Sequence, residues 1–479
     1  MGLEAQYAQL LRGTTRSSVL MTDGYKFSMA QAGFPLRPET FYLALRQGGP
    51  HYLPFDFGQV VQVLFGNVET PNPQVMAFLS QHGYDLTPAM LHAFVEGRCE
   101  VWSPPAGSWV GNGEPILTVT GPSFKVSWLE PLAIMFRFPI QVATAAMNGE
   151  TVFRCTCDSE AEIVQVVLDR IGRRAHFIEV DSEKYHAAAR QNAEAVRAAL
   201  NGETHRAFEV GMRAATCMRM HQIALEACKS TGISKTSNVH FAQRFDLTPV
   251  GTTGHEHQQR WLSDGAGFRA MRDMRPSPPS YLFDTYDTLG IGIPTAVEVM
   301  RENLARSCSV RFDSGDQGEQ LRRFLTAEGH YNVRPLFIFE DSYTARKTVF
   351  NEDLCTRDVT NRGFGLERSR LFYGYGGFIV NPEGAVQFRR DDVGAVYKLS
   401  QTGDLPVMKT CGSKSSLPGR PVVLADGIGR HLIAQQGETV EGYHPLTAED
   451  PRPSVQAVSY RTAQADNQCN HRLLNQRDP

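Results

Sequence analysis

No uninterrupted apolar run in the chain approaches the length that crosses a bilayer, so a membrane-spanning class is not expected. Charge of one sign is also lacking. The 48 Lys and Arg against 51 Asp and Glu leave a formal net charge of -3. There is thus no basic field for nucleic acid and no polybasic face for a membrane surface. The nine cysteines are scattered, and the close pair Cys155 and Cys157 has a spacing poorly suited to a metal knuckle. An odd count without a dense framework predicts reduced thiols and a cytoplasmic setting. The opening MGLEAQYAQLLRG has neither the basic start nor the apolar core of a secretion signal. No simple internal repeat is present, and neither the Walker nor the dinucleotide glycine spacing occurs.

What remains is a 479-residue chain, 42% hydrophobic and 21% charged, with the balance of a globular protein and ample length for a large core. Helical spacing is expected over 7–11, 27–32, 56–66 and 73–97, with Pro88 in a first turn after Thr87. Residues 40–47 read as a strand, and from Cys99 to Val119 short β-prone runs alternate with Pro and Gly turns. An apolar helical region runs from Trp128 to about Met147, which makes residues 1–148 an α+β unit.

The middle, 149–386, alternates differently. Helices are expected near 158–172, capped by Asp158, near 182–200, capped by Ser182, and up to Lys229. Strand-like pieces follow at 236–241, 280–284, 308–313, 336–339 and 370–373, each running into polar, acidic or glycine residues. Repeated strand, polar loop and helix imply parallel strands with crossover helices. A closed α/β barrel would gather Ser237, Asp284, Asp313, Asp341 and Gly376 on one rim. Residues 387–479 return to β-prone runs at 395–399, 406–409 and 421–424, and turn polar beyond Pro451, with a mobile C-terminal end expected.

The chemistry concentrates in a few clusters. After Thr236, Ser237 and Asn238 comes the β-prone Val239 to Phe241, and then Gly251-Thr252-Thr253-Gly254 delivers His255, Glu256 and His257. Glycines there allow a sharp turn and close approach to a ligand, with an imidazole placed for a phosphoryl group. The plain alternative is a strand, a turn and a surface histidine. Asp284 follows an apolar run and suits ligand hydroxyls, whereas Asp287 reads as a helix cap. Alternation in Val310-Arg311-Phe312-Asp313 puts Arg311 and Asp313 on one side of a strand, as a binding site or as a buried ion pair. Glu340-Asp341-Ser342 is either a ligand loop or a helix cap. Gly374, Gly376 and Gly377 near a strand end offer amides to a phosphate, or make a simple turn. Together, acids for ribose hydroxyls, cations and amides for phosphate, and one histidine suit a phosphoribosyl ligand.

These motifs carry a family resemblance. TDGYK at 22–26, EVGMR at 209–213, KTSNV at 235–239, GTTGHEH at 251–257, DTYD at 284–287, RFDSGD at 311–316, GYGG at 374–377, and the later VYKL, Lys409-Thr410 and PGR occur in order over most of the chain. The chain resembles the nicotinate phosphoribosyltransferases and, more distantly, those that use nicotinamide. The resemblance implies a type II phosphoribosyltransferase fold, an α/β barrel flanked by an α+β domain built from both chain ends, and a homodimer with shared active sites. It implies transfer of a phosphoribosyl group from phosphoribosyl pyrophosphate to nicotinate in NAD biosynthesis. Mg²⁺ would be held through the phosphates, and ATP hydrolysis would be coupled through transient phosphorylation of His255. Arg213, Asp284, Arg311 and Asp313 correspond to residues around base and ribose, with Thr236 and Asp341 beside them. Gly376 and Gly377 correspond to the phosphate turn, and Tyr25 to an aromatic that the partner subunit lays on the ring. Ser237 stands where the amide-using relatives have an aspartate, and a carboxylate there would repel nicotinate. Two positions depart from the pattern: Val210 replaces an aromatic, and Glu340 replaces a small residue near phosphate. They keep two alternatives open, a nicotinamide-using enzyme and a weakly active ligand-sensing homologue.

Overall fold

The apolar run expected as a strand over 40–47 forms one, Pro38–Leu45, buried from Glu39 onward. It pairs antiparallel with Pro115–Pro122 on one side and with Ala395–Thr402 on the other. A single five-stranded sheet therefore joins segments from both ends of the chain. The computed structural model describes residues 2–411 and 416–453 and the strand Val458–Tyr460. The expected mobile C-terminal end lies outside the described residues. Helices Leu3–Arg12, Phe57–Gly66 and Arg137–Met147 pack beside this sheet, where Tyr7 stacks on Phe55 and Phe57 on Phe136. No helix among the described residues is long and apolar enough to cross a membrane.

The second sheet is parallel and has seven strands in the spatial order Thr248–Pro249, Lys235–Thr236, Ala207–Glu209, Leu371–Tyr375, Leu336–Phe339, Ser309–Phe312, Ser280–Leu282. The strands are short apolar runs buried between crossover helices and the interior, as parallel sheets require. The sheet curls as a half-barrel, and its outer strands are not bonded to each other, so the expected closed barrel is open on one side. The rim expectation survives the change, because every strand still points its C-terminal end the same way.

Several local expectations are corrected. Val239 to Phe241 is not a strand but the start of the helix Val239–Phe245. Asn238 accepts from the Phe241 amide as its cap, and burial of Val239, Phe241 and Ala242 overrides β propensity. The helical span 73–97 is two helices, Pro73–Gln81 and Pro88–Glu96, and Thr87 caps the second as expected. The cap of Ser182–Ala199 is Asp181, one residue earlier than expected, while Asp158 is the first residue of a helix that has no side-chain cap. The apolar stretch after Trp128 is broken into the helices Glu130–Met135 and Arg137–Met147. The run 406–409 contributes only Leu405–Pro406 to a sheet.

The two halves are tied by buried charge. Lys26, from the helix Gly24–Gln31, donates to Glu256 at 2.9 Å and is ion-paired with Glu130. Arg260, one turn beyond Glu256, reaches it at 3.3 Å and donates to Glu39 of the antiparallel sheet at 2.9 Å. Glu39 also accepts from Ser123 and Thr402. Breaking one member of such a set leaves charge unpaired in a dry interior. Arg260→Ala should therefore lower unfolding free energy by about 3–5 kcal/mol, read from the midpoint of urea unfolding. A loss below about 1 kcal/mol would place the network in a wetter setting than the structure describes.

Candidate active site

Five of the seven parallel strands run into a polar residue or a glycine, and these ends converge. Asp284 follows Ser280–Leu282, Asp313 follows Ser309–Phe312, Glu340 follows Leu336–Phe339, Gly376 follows Leu371–Tyr375, and Ser237 follows Lys235–Thr236. Beside them lies a cavity of about 630 Å³ that has Tyr25, Arg213, His255, Arg311, Asp313, Asp341, Gly376 and Gly377 in its lining. A second cavity, of about 290 Å³, shares Tyr25, Arg213, Arg311 and Glu340 and adds Asp23 and Ser237.

His255 opens the helix His255–Trp261 directly after Gly254. Its Nε2 lies 2.9 Å from Asp284 Oδ1 and 2.8 Å from Lys409 Nζ, and 3.8 Å from Asp313 Oδ2. Burial lowers the imidazole's pKa more than Asp284 raises it, and Lys409 lowers it further, so the ring is held neutral. Burial alone would raise Asp284, but His255, Lys409 and Ser314 hold it well below the usual carboxylate range. Both its oxygens are engaged, Oδ2 by Lys409 at 2.9 Å and by the Ser314 hydroxyl. The expected free acceptor for ligand hydroxyls is thus a buried anchor for the histidine and lysine. His257, by contrast, is fully buried, with Nε2 donating to the Gly267 carbonyl at 2.8 Å, away from the cavity lining. The preceding turn also approaches its own chain: a Cβ on Gly251, which lines the smaller cavity, would fall on the Gly24–Tyr25 backbone.

Arg311 and Asp313 share a side, as alternation predicts, and bond at 2.6 Å. The same guanidinium pairs with Glu340 at 2.9 Å and donates to the Thr253 carbonyl at 2.6 Å, while its Nε has no partner among the described residues. Glu340, the charge that stood out against a phosphate site, is therefore paired; burial nonetheless raises its pKa. Burial also pushes Asp313 up, but Arg311, with His255 and Lys409, outweighs it and holds the carboxyl below its ordinary value. Asp341 has a left-handed backbone (φ 74°) and Thr344, not Asp341, caps the next helix.

Thr236 does not reach either cavity. It is fully buried, its hydroxyl donated to Glu209 at 2.8 Å, which corrects its placement among ligand contacts. Glu209 in turn holds His221 at 3.0 Å and the Gly211 amide at 2.5 Å, so it shapes the loop that carries Arg213. Ser237 does face the smaller cavity, but its hydroxyl donates to Asp23 Oδ1 at 2.6 Å. A serine at 237 therefore does not free this cavity of carboxylate. Asp23 Oδ2 has no hydrogen-bond partner among the described residues and lies 3.5 Å from Arg213. Tyr25 lies in the same chain, with the Arg213 guanidinium 5.6 Å from its ring centre and its hydroxyl donated to Glu130 at 2.6 Å. Tyr25 of this chain lines both cavities. With Val210 in the wall, Tyr84, Phe208 and Phe372 also line the smaller cavity.

Cations the motif reading left without a role complete the larger cavity: Arg46, Arg389, Arg390, Lys398 and Lys409. The Arg389-Arg390-Asp391-Asp392 run and the strand lysine in VYKL were visible in the sequence, but nothing there placed them opposite the barrel rim. Burial brings Lys398 down to about 8. His255, Asp284 and Asp313 offer ligand atoms within 4.8 Å of one another. Because Lys409 and Ser314 already occupy Asp284, a hard dication fits best against Asp313 together with oxygens from a ligand.

No protein-family model matches the chain. It is 27% identical over 199 residues to the nicotinate phosphoribosyltransferase of Bacillus subtilis strain 168, covering 40% of this chain and 36% of that protein. It is 23% identical over 243 residues to the enzyme of the same name from Methanosarcina mazei, covering 48% of this chain and 55% of the relative. The matched region thus spans about half or less of these curated relatives. Solved structures agree over more of the chain. The nicotinate phosphoribosyltransferase of Vibrio cholerae superposes with a TM-score of 0.59 at 18% identity, covering 85% of this chain and 92% of that one. That of Porphyromonas gingivalis gives 0.58 at 19%, covering 84% and 96%. This chain has the fold of those proteins, the type II phosphoribosyltransferase fold.

The cationic lining generates a pH prediction. Lys398 is charged below about pH 8 and neutral above it, so affinity for inorganic pyrophosphate should fall as pH rises through about 8. One lost charge-assisted hydrogen bond corresponds to roughly tenfold in affinity. Lys398→Arg should flatten the profile measured by titration calorimetry; an unchanged inflection in that variant would assign it elsewhere.

Proposed function

We propose that the chain is a nicotinate phosphoribosyltransferase that forms nicotinate mononucleotide and pyrophosphate from nicotinate and phosphoribosyl pyrophosphate in NAD biosynthesis. ATP hydrolysis is coupled through phosphorylation of His255. The observation that carries this reading is the larger cavity, where a neutral, partly exposed histidine sits among lysines and arginines at the ends of the parallel strands. The likeness to proteins of that name supports it.

The chemistry asks little of a general base. The pyridine nitrogen supplies its own lone pair to the ribose C1, the C1–O bond breaks, and pyrophosphate leaves with that electron pair. The site must hold the ring below C1, tolerate positive charge developing on the ribose, and stabilise the leaving anion. Tyr25, Arg213 and Phe208 surround the ring space, Asp313 faces the ribose, and Arg46, Arg390, Lys398 and Lys409 face the pyrophosphate. Mg²⁺ on Asp313 and the pyrophosphate oxygens would neutralise leaving-group charge. When Asp284 accepts from the His255 Nε2–H, the Nδ1 lone pair is left to attack the γ-phosphoryl of ATP, and ADP departs. Lys409 stands beside the ring to balance the added charge. A homodimer stays part of the proposal.

One observation favours a second reading, use of nicotinamide. Asp23 Oδ2 in the smaller cavity accepts no hydrogen bond among the described residues, and an amide NH₂ would supply one where a carboxylate would not. Pyrophosphate release assayed with each base, with and without ATP, decides between them. Nicotinate is expected to turn over faster, and a nicotinamide rate above it would transfer the proposal to the amide. Release with neither base would leave a ligand-sensing homologue.

Three substitutions test the roles. His255→Ala should abolish ATP hydrolysis and its stimulation while slow ATP-independent synthesis persists, and His257→Ala should keep the ATP effect. Acid-labile, base-stable label from γ-labelled ATP is counted on both proteins; label retained by His255→Ala would move the role to its neighbour. Arg311→Ala should remove nearly all activity. Because it strands Asp313 and Glu340 in the interior, it should also cost about 3–5 kcal/mol of stability.

A further inference from the structure

The smaller cavity does not end at the catalytic rim. Its lining also includes Lys235, Ser280, Ser309 and Leu336, the first residues of four parallel strands, so the space extends through the sheet interior to the opposite end. Arg275 lines it there, only 4% exposed. Its one contact from the guanidinium is a 3.7 Å approach to the Met271 sulfur; its Nε has no partner, and it makes no ion pair among the described residues. Ser280, also 4% exposed and in the same lining, has a hydroxyl without a hydrogen-bond partner. The charges beside them are of like sign: Arg306 donates to the carbonyls of Arg275 and Ser277 at 2.6 and 3.1 Å, and Lys235 lines the same end. Burial and Arg306 hold Arg275 below the usual arginine value, against which only the Tyr84 phenol acts. A guanidinium is rarely left desolvated without an anion, and its fork of N–H donors matches an oxyanion.

We propose that Arg275 and Ser280 bind a compact oxyanion, a phosphate or a carboxylate, at the strand-start end of this cavity, separate from the phosphate-binding rim. The guanidinium supplies the charge and paired donors, and Ser280 supplies one further hydrogen bond. Nothing in this depends on which base the catalytic end accepts.

Equilibrium dialysis of the full chain against labelled inorganic phosphate, and separately against labelled benzoate as an aryl carboxylate, tests it. Pyrophosphate is held saturating so that the rim is occupied. The expected result is one saturable equivalent of phosphate or benzoate on the wild type. It should be weakened by at least about tenfold in Arg275→Met, weakened several-fold in Ser280→Ala, and retained in Arg275→Lys. Whichever probe fills the site identifies the source of the oxyanion. Melting temperatures in chloride buffer guard against misfolding. Arg275→Met, which removes an unpaired buried cation without removing volume, should melt no lower than the wild type, and the bound anion should raise the wild type's temperature but not the variant's. Should Arg275→Met fail to fold, Ser280→Ala and Arg275→Lys still carry the test. Equal binding and an equal thermal response in the wild type, Ser280→Ala and every folded Arg275 variant would overturn the proposal.

Discussion

The structure hangs on buried charge that is shared rather than paired off singly. Lys26 lies between Glu130 and Glu256, and Arg260 between Glu256 and Glu39, so the helices Gly24–Gln31, Glu130–Met135 and His255–Trp261 and the strand Pro38–Leu45 meet through one ionic chain. Isolated ions at such depth would be expelled or neutralised, and the set persists because each charge has at least one opposite neighbour and further hydrogen bonds. A consequence for the site is geometric. Glu256 is the residue after His255, so the network that joins the antiparallel sheet to the barrel also sets where the imidazole points.

The same economy governs the cavity itself. Asp284, Asp313 and Glu340 are three carboxylates at neighbouring strand ends, and His255, Lys409 and Arg311 are interleaved with them. A site assembled in this way has its dipoles and charges set before a ligand arrives, which is where electrostatic catalysis draws its advantage. It also explains how Glu340 is accommodated among the other carboxylates: Arg311 takes its charge.

Some readings of single residues were right for physical reasons that act locally. Alternation across one short strand placed Arg311 beside Asp313, Asp287 caps its helix through the Gly290 amide, and Thr87 caps the helix that Pro88 opens. Others failed where a distant partner outweighed local chemistry. Thr236 turned inward to Glu209, Asp284 was taken by Lys409 from far along the chain, and Val239 to Phe241 folded as a helix because the core needed an apolar face there. Asp23, unassigned in the sequence, met Ser237 across the two units and altered what a serine at that position means.

The sequence by itself determined the class of fold, the series of parallel strands, and the residue types that gather at their ends, because periodicity, turn chemistry and ordered motifs are properties of short stretches. Tertiary structure alone decided which acids are free, that the sheet stays open along one edge, and that Tyr25 enters the cavity of its own chain. It also brought Arg46, Arg390, Lys398 and Lys409 from both chain ends to face one rim. Contacts between residues hundreds of positions apart depend on how the two sheets pack, and no local pattern encodes a partner that the chain must fold to reach.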